Sequence, residues 1–280
     1  MNDDSPDHSK AGDKTSVTAE IWRTRPDARL NPTKDSLAVE EPLEIRVRGR
    51  SIAITMRTPG HDQELAAGFL LTEGVIAQRS DIIEIAHCQQ GEAVDRDNIL
   101  NAYLAPNVEL DLEKLTRHVF ASSSCGLCGK ASIESVQQCF PPIQTGLKVL
   151  SEVIPTLPEK LRAHQATFDQ TGGLHAAGLF DAQGSLLVAR EDVGRHNAVD
   201  KALGERFLGG HSMTESILMV SGRASFEIMQ KALAAGVPMV AAVSAPSSLA
   251  VDFARENGQT LIGFLRGESF NVYSRPERIG

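Results

Sequence analysis

From residue 174 to residue 266 short apolar runs alternate with longer amphipathic stretches, and that alternation leaves few folds open. LHAAGLF and SLLVAR flank DAQG, as the arms of a hairpin flank a turn. Then come helix-like GRHNAVDKALGERFL, strand-like SILMVSG, helix-like ASFEIMQKALAAG, strand-like PMVAAVSAP, helix-like SSLAVDFARENG and strand-like TLIGFLRG. Strands that alternate with helices predict an α/β domain, a mixed sheet with a parallel portion and helices on both faces. The hydrophobic share is 41% and the aromatic share only 5%, which suits a sheet packed from Ala, Val, Ile and Leu.

The first half is less regular. PLEIRV and SIAITMRT alternate apolar and polar residues around RGR and predict a second hairpin. PGHDQELAAGFLLTEG predicts a helix that stops at Gly74. DIIEIAHC, NILNAYLA and RHVFASSS read as strands, and KASIESVQQCF reads as a helix ended by Pro141 and Pro142. PEKLRAHQATFDQTGG predicts one helix that ends at Gly172 and Gly173. The expected organisation is a mobile polar tail over 1–35, with Val17 to Trp22 as the part that would order. A smaller N-terminal α+β domain over 36–150 ends with a cysteine loop and its following helix, and a Pro-rich linker leads into the α/β domain over 151–280.

Net charge is −8, so no basic field favours nucleic acid or an anionic membrane. The N-terminal stretch has no apolar signal core, and the longest apolar runs are too short to span a bilayer. These features predict a cytoplasmic protein whose thiols stay reduced.

An anionic ligand must therefore be held locally, and four predicted strand ends are suited to that. SLLVAR runs into a turn with Arg195 and His196. SILMVSG brings Ser221, Gly222, Arg223 and Ser225. PMVAAVSA runs into Ser247 and Ser248, and TLIGFLRG brings Arg266 and Gly267. Three of these ends open into helices, whose first backbone N–H groups and dipole attract phosphate, while arginine adds a fork of donors. Gly173 and His175 stand at another strand start. Ser and Gly at such places are also ordinary helix caps. His196 and Asp200 lie four apart and are spaced to pair. Neither a P-loop nor a GxGxxG follows any strand.

SSSCGLCGK places Cys125 and Cys128 three apart in a Ser/Gly-rich loop. Cys88 and Cys139 stand alone and read as small core hydrophobes. A structural zinc takes four ligands, usually from two pairs, and there is no second pair, so no bound metal is expected. Zinc deaminases use H-x-E followed downstream by P-C-x-x-C; here HAA replaces H-x-E, and the cysteine pair lies upstream. A thioredoxin-like redox protein would be a compact chain with a cis-Pro partner, and neither is apparent. The residues leave a pair of reactive thiols on a Gly-flanked loop, which favours carrying a group. A dithiol oxidoreductase and a non-catalytic cofactor-binding chaperone stay open as alternatives.

SSSCGLCGK, TGGLHAAGLF, REDVGRHNAVDKALG, SGRASFEIMQKALAAGVP and SAPSSLAVDFARENGQTLIGF together resemble the FdhD family of formate dehydrogenase accessory sulfurtransferases. The resemblance implies a sulfur carrier whose second half is cytidine-deaminase-like. It implies that sulfur arrives from a cysteine desulfurase as a persulfide on Cys125, with Cys128 as its partner. The sulfur would pass to the molybdenum of bis-molybdopterin guanine dinucleotide, which is then inserted into formate dehydrogenase. The family's cofactor contact falls on Phe264, Leu265, Arg266, Gly267, Glu268 and Ser269, with Glu268 the candidate for reading guanine. GDP-like nucleotides would act as mimics. Carriage of a two-nucleotide cofactor suits a homodimer.

Overall fold

A computed structural model describes residues 15–24, 30–89, 97–109 and 140–280. Cys125, Cys128 and Cys139, the expected strand RHVFASSS and the expected helix KASIESVQQCF lie outside the described residues. The elements of the first half are β1 (Ser16–Thr24), β2 (Leu30–Ala38), β3 (Glu41–Val47), β4 (Arg50–Arg57), α1 (Asp62–Thr72), β5 (Ile82–His87) and β6 (Ile99–Leu104). Those of the second half are α2 (Leu157–Arg162), α3 (Ala166–Thr171), β7 (His175–Phe180), β8 (Leu186–Asp192), α4 (Arg195–Leu208), β9 (Ile217–Val220), α5 (Phe226–Ala234), β10 (Met239–Ala242), α6 (Ser248–Glu256), β11 (Thr260–Arg266) and β12 (Ser269–Ser274).

β1 and β2 form an antiparallel ribbon in register from Ser16↔Ala38 to Thr24↔Leu30. The stretch expected to order, Val17 to Trp22, lies within β1, where Val17, Ala19 and Ile21 alternate opposite Leu37, Asp35 and Thr33; what the expectation of a polar tail over 1–35 missed is its partner β2, which starts at Leu30. The ribbon is tied at its root, where Val39 N donates to Thr15 O at 2.9 Å. The expected single helix over PEKLRAHQATFDQTGG is two, α2 and α3. The chain turns at His164 and Gln165, and Glu191 accepts from Thr167 N and Phe168 N to restart it.

The first half builds a four-stranded sheet in the order β4-β3-β6-β5, and the second a six-stranded sheet in the order β12-β11-β10-β9-β7-β8. One face of the larger sheet packs Leu179, Leu218, Val240 and Leu261 against α4, α5 and α6. Its other face packs Phe180, Met219, Met239 and Ile262 against Leu147, Val149, Ile154, Leu157 and Leu161. The Pro-rich stretch read as a linker is thus partly core, and Val149 pairs with Ile279 near the end of the chain. Helices cover both faces, as the alternation predicts. β12 is an addition: SFNVYS is too polar and short to announce an edge strand.

The same core continues from α4 to α1 and the smaller sheet. Those two helices touch backbone to backbone. A Cβ on Gly68 would lie 1.9 Å from Asp200 O, and a Cβ on Gly204 would lie 1.9 Å from Glu64 O. Two polar ties flank the crossing. Arg190 grips Glu64 with two hydrogen bonds. Lys231 Nζ lies 2.7 Å from Asp200 Oδ2, and Thr72 donates to Asp200 Oδ1 at 2.9 Å.

Candidate functional site

β9, β10 and β11 run parallel, β7 runs antiparallel to β9, and β8 runs antiparallel to β7. The carboxyl ends of β8, β9, β10 and β11 therefore meet on one edge, together with the starts of β7 and β12. That edge is where open α/β sheets bind ligands. It gathers every second-half turn singled out from the sequence.

At one end of the edge His175 opens β7, opposite Asp192 in register. Asp192 is fully buried and organises the head of α4. Its carboxylate accepts from Gly194 N at 2.8 Å, Asn197 Nδ2 at 3.0 Å and Thr58 N at 3.2 Å, and pairs with Lys201 Nζ at 2.7 Å. Lys201, itself buried, also donates to Thr58 O at 2.7 Å. Most of EDVGRHNAVDK is thus internal framework, and the residues it presents at the edge are Arg195 and His196.

His196 corrects one expectation. Asp200 turns away to Lys231 and Thr72, and His196 Nε2 instead meets Glu227 Oε2 at 2.8 Å, with Ser225 Oγ at 3.5 Å. The four-residue spacing on α4 pointed to the wrong acid, because the right one is brought by α5. Burial first, and then the charges of Arg195 and His196, hold His175 below the usual imidazole range. The hydrogen bond from His196 holds the Glu227 carboxyl below its usual range despite burial.

In the β9–α5 turn, Gly222 leaves room beside His175: a Cβ there would sit 3.6 Å from His175 Nδ1. Ser221 is bound to β7, its Oγ accepting from Ala176 N at 2.9 Å. Ser225 caps α5 by accepting from Ile228 N at 3.4 Å, and Ser247 caps α6 by accepting from Ala250 N at 3.2 Å. These three hydroxyls therefore serve the fold, and what the two helix heads offer a ligand is backbone N–H. Ser248 and Arg223 are exposed beside them. Among the described residues neither Arg195 nor Arg223 has a carboxylate partner.

At the other end β11 is bulged between Gly263 and Arg266. Gly263 is pressed against Pro246, where a Cβ would come within 2.9 Å, and Phe264 N donates to Ser244 O at 3.1 Å. Phe264 takes φ +52° and stands 41% exposed. An exposed aromatic ring in a left-handed conformation is strained. Arg266 Nε donates to Val243 O at 3.1 Å, while Gly267, Glu268 and Ser269 form the exposed turn into β12. Leu265 does not belong with them: it is fully buried on the far face, in the core with Ile262. Gly173 is exposed at the approach to β7, against Ala38 of the ribbon. Among the described residues no group of His, Cys, Asp and Glu is placed to hold a metal ion, and no helix is long and apolar enough to cross a membrane.

The sequence model of the FdhD/NarQ family matches residues 38–280. The chain belongs to this family. It is 52% identical over 260 residues to the sulfur carrier protein FdhD of Streptomyces coelicolor, covering 90% of this chain and 92% of that one. It is 51% identical over 253 residues to the protein of the same name from Mycobacterium tuberculosis, covering 88% and 92%. Among solved structures, a protein from Desulfotalea psychrophila described as a formate dehydrogenase accessory protein superposes with a TM-score of 0.77 at 29% identity. That match covers 95% of this chain and all of the other. An FdhD/NarQ fold is thus what carries the edge just described.

Proposed function

We propose that this protein is a sulfur carrier that serves formate dehydrogenase. Cys125 takes sulfur from a cysteine desulfurase as a persulfide, and the acceptor is bis-molybdopterin guanine dinucleotide seated at the carboxyl edge of the six-stranded sheet. The observation that carries the reading is that edge within an FdhD/NarQ chain. Helix heads and Arg195 and Arg223, with no carboxylate partners among the described residues, suit the diphosphates of a guanine dinucleotide.

Loading is a thiolate exchange. The Cys125 thiolate attacks the outer sulfur of the donor persulfide, a new S–S bond forms, and the donor cysteine leaves as thiolate. In release, the Cys128 thiolate attacks Cys125 Sγ, and the two cysteines become a disulfide as the outer sulfur departs. A thiol reductant then resets the pair. The nucleotide edge holds the acceptor while this happens, and the protein's charge of −8 makes local donors necessary for that task.

Intact mass after incubation with a cysteine desulfurase and cysteine tests the reading. The wild-type protein should gain one sulfur atom, removed by a thiol reductant, and Cys125→Ala should gain none. Equal gain in both proteins would refute the assignment to Cys125. Turnover of disulfide substrates without sulfur gain would favour an oxidoreductase.

A further inference from the structure

Arg195 and His196, which α4 presents at the carboxyl edge, are held in place from the other half of the molecule. The end of β4 and the residue after it, Thr55 to Thr58, lie against the head of α4. Thr58 is buried and commits three polar groups to this contact. Its N–H donates to Asp192 Oδ2 at 3.2 Å, its carbonyl accepts from Lys201 Nζ at 2.7 Å, and its hydroxyl accepts from Val193 N at 3.2 Å. Asn197 Nδ2 donates to Met56 O at 2.8 Å, and Thr55 Oγ1 donates to Asn197 Oδ1 at 3.2 Å. The chain around Arg195 is thus anchored to the first half on both sides, at Asp192 and Val193 before it and at Asn197 and Lys201 after it.

Stability alone does not call for this clasp. Asp192 and Lys201 are both fully buried, and a buried ion pair gives a fold little that well-packed apolar residues would not give. What hydrogen bonds and charges add is a fixed geometry, since each has a preferred distance and angle. Arg195 is the residue that such a geometry would serve. Its charge is felt by both His175 and Glu227, so the guanidinium stands near the β7 and α5 residues of the same edge. A long side chain loses freedom when it grips a ligand, and fixing the backbone from which it springs lowers that cost.

We propose that Thr58 is a positioning residue of the nucleotide seat; this rests on the nucleotide reading above. By holding Val193 through its hydroxyl, Thr58 sets the first turn of α4 and with it Arg195, the contact to the diphosphate. The seat is then a product of both halves, and the first half serves it without touching the ligand. If Thr58 only glued the halves together, its loss would act equally with or without Arg195.

The test is a double-mutant cycle, read as GDP affinity by titration calorimetry on the full-length wild type, Thr58→Val, Arg195→Ala and the double variant, with the Tm of each recorded. Thr58→Val keeps the shape and both backbone bonds and removes only the hydroxyl. It should weaken GDP binding roughly three- to tenfold in the wild-type background, within the range for residues of one hydrogen-bond network. In the Arg195→Ala background it should change affinity by less than about twofold. Thr58→Ser, which keeps the hydroxyl, should bind as wild type. Equal weakening in both backgrounds, or none in wild type, overturns the positioning role and leaves the nucleotide seat standing. Should Thr58→Val fail to fold, Thr55→Val removes the bond to Asn197 at the other anchor and is read in the same cycle, with the same outcomes deciding. A wild-type protein that binds no GDP overturns the seat and the proposal with it.

Discussion

Gly204→Ala should destabilise the protein although it places a better helix former in a helix. In an unobstructed helix the change gains roughly 0.5–1 kcal/mol. Here the new methyl would land 1.9 Å from Glu64 O and 2.7 Å from Gly68 N, whereas real Cβ contacts do not fall below 3.0 Å. A backbone oxygen has no rotamer by which to step aside, so α1 and α4 must separate by about 1 Å. The interface that opens is the core shared by the two sheets, and overpacking of this kind costs roughly 1–3 kcal/mol, occasionally more. The separation also stretches Arg190–Glu64 and the Asp200–Thr72 bond, which cross the same joint. The net expectation is a loss of about 2 kcal/mol, or a fall in Tm of about 4–8 °C for a chain of this size. Urea and thermal unfolding of Gly204→Ala and Gly68→Ala read it directly. A Gly204→Ala protein as stable as wild type, or more stable, would refute the backbone-contact argument.

Other outcomes follow from the electrostatics. Glu64 is held below the usual carboxylate range: burial opposes its ionisation, but hydrogen bonds from Arg190 and His61 outweigh it. Its folded value is the lower one, so its contribution is complete above the unfolded value near ~4.3 and is lost as pH falls through the folded value. The urea midpoint of wild type should therefore drop more steeply from about pH 5 to about pH 3 than that of Glu64→Gln. For the nucleotide seat proposed at the carboxyl edge, Arg223→Ala and Arg266→Ala should each weaken GDP binding by roughly 1.5–3 kcal/mol, about tenfold or more, by titration calorimetry. Unchanged affinity in both, or equal binding of ADP and GDP, would remove the guanine site from the account.

The sequence is most readable where one element decides its own fate. The strands and helices from His175 to Arg266 follow their apolar periods, and the serines before α5 and α6 announce themselves as caps. It is least readable where distant elements meet. Asp200 looked like the partner of His196 because spacing along α4 is visible, whereas Glu227 and Lys231 come from α5, and only folding brings them over. Leu265 sits inside a stretch otherwise exposed; the bulge after Gly263 turns it into the core, and no alternation foretells a bulge. Of the ribbon, Val17 to Trp22 in β1 was legible from its apolar residues, whereas β2, LNPTKDSLA, is polar enough to look like a tail. His175 was legible as a candidate from its glycines, but its environment comes from α4.

The antiparallel course of β7 has one more consequence. The β7–β8 hairpin delivers both of its open ends to the edge where the carboxyl ends of β8 to β11 meet, so its closed end, the turn from Asp181 to Ser185, lies at the opposite side of the sheet. Asp181 accepts from Gln183 N at 2.9 Å and Ser185 N at 2.8 Å, Lys160 Nζ donates to Gly184 O from outside the turn, and Gln183 is exposed. The molecule thus carries a handle one strand length away from that edge. A dye or immobilisation tag joined at Gln183 would leave the carboxyl edge of the sheet unobstructed.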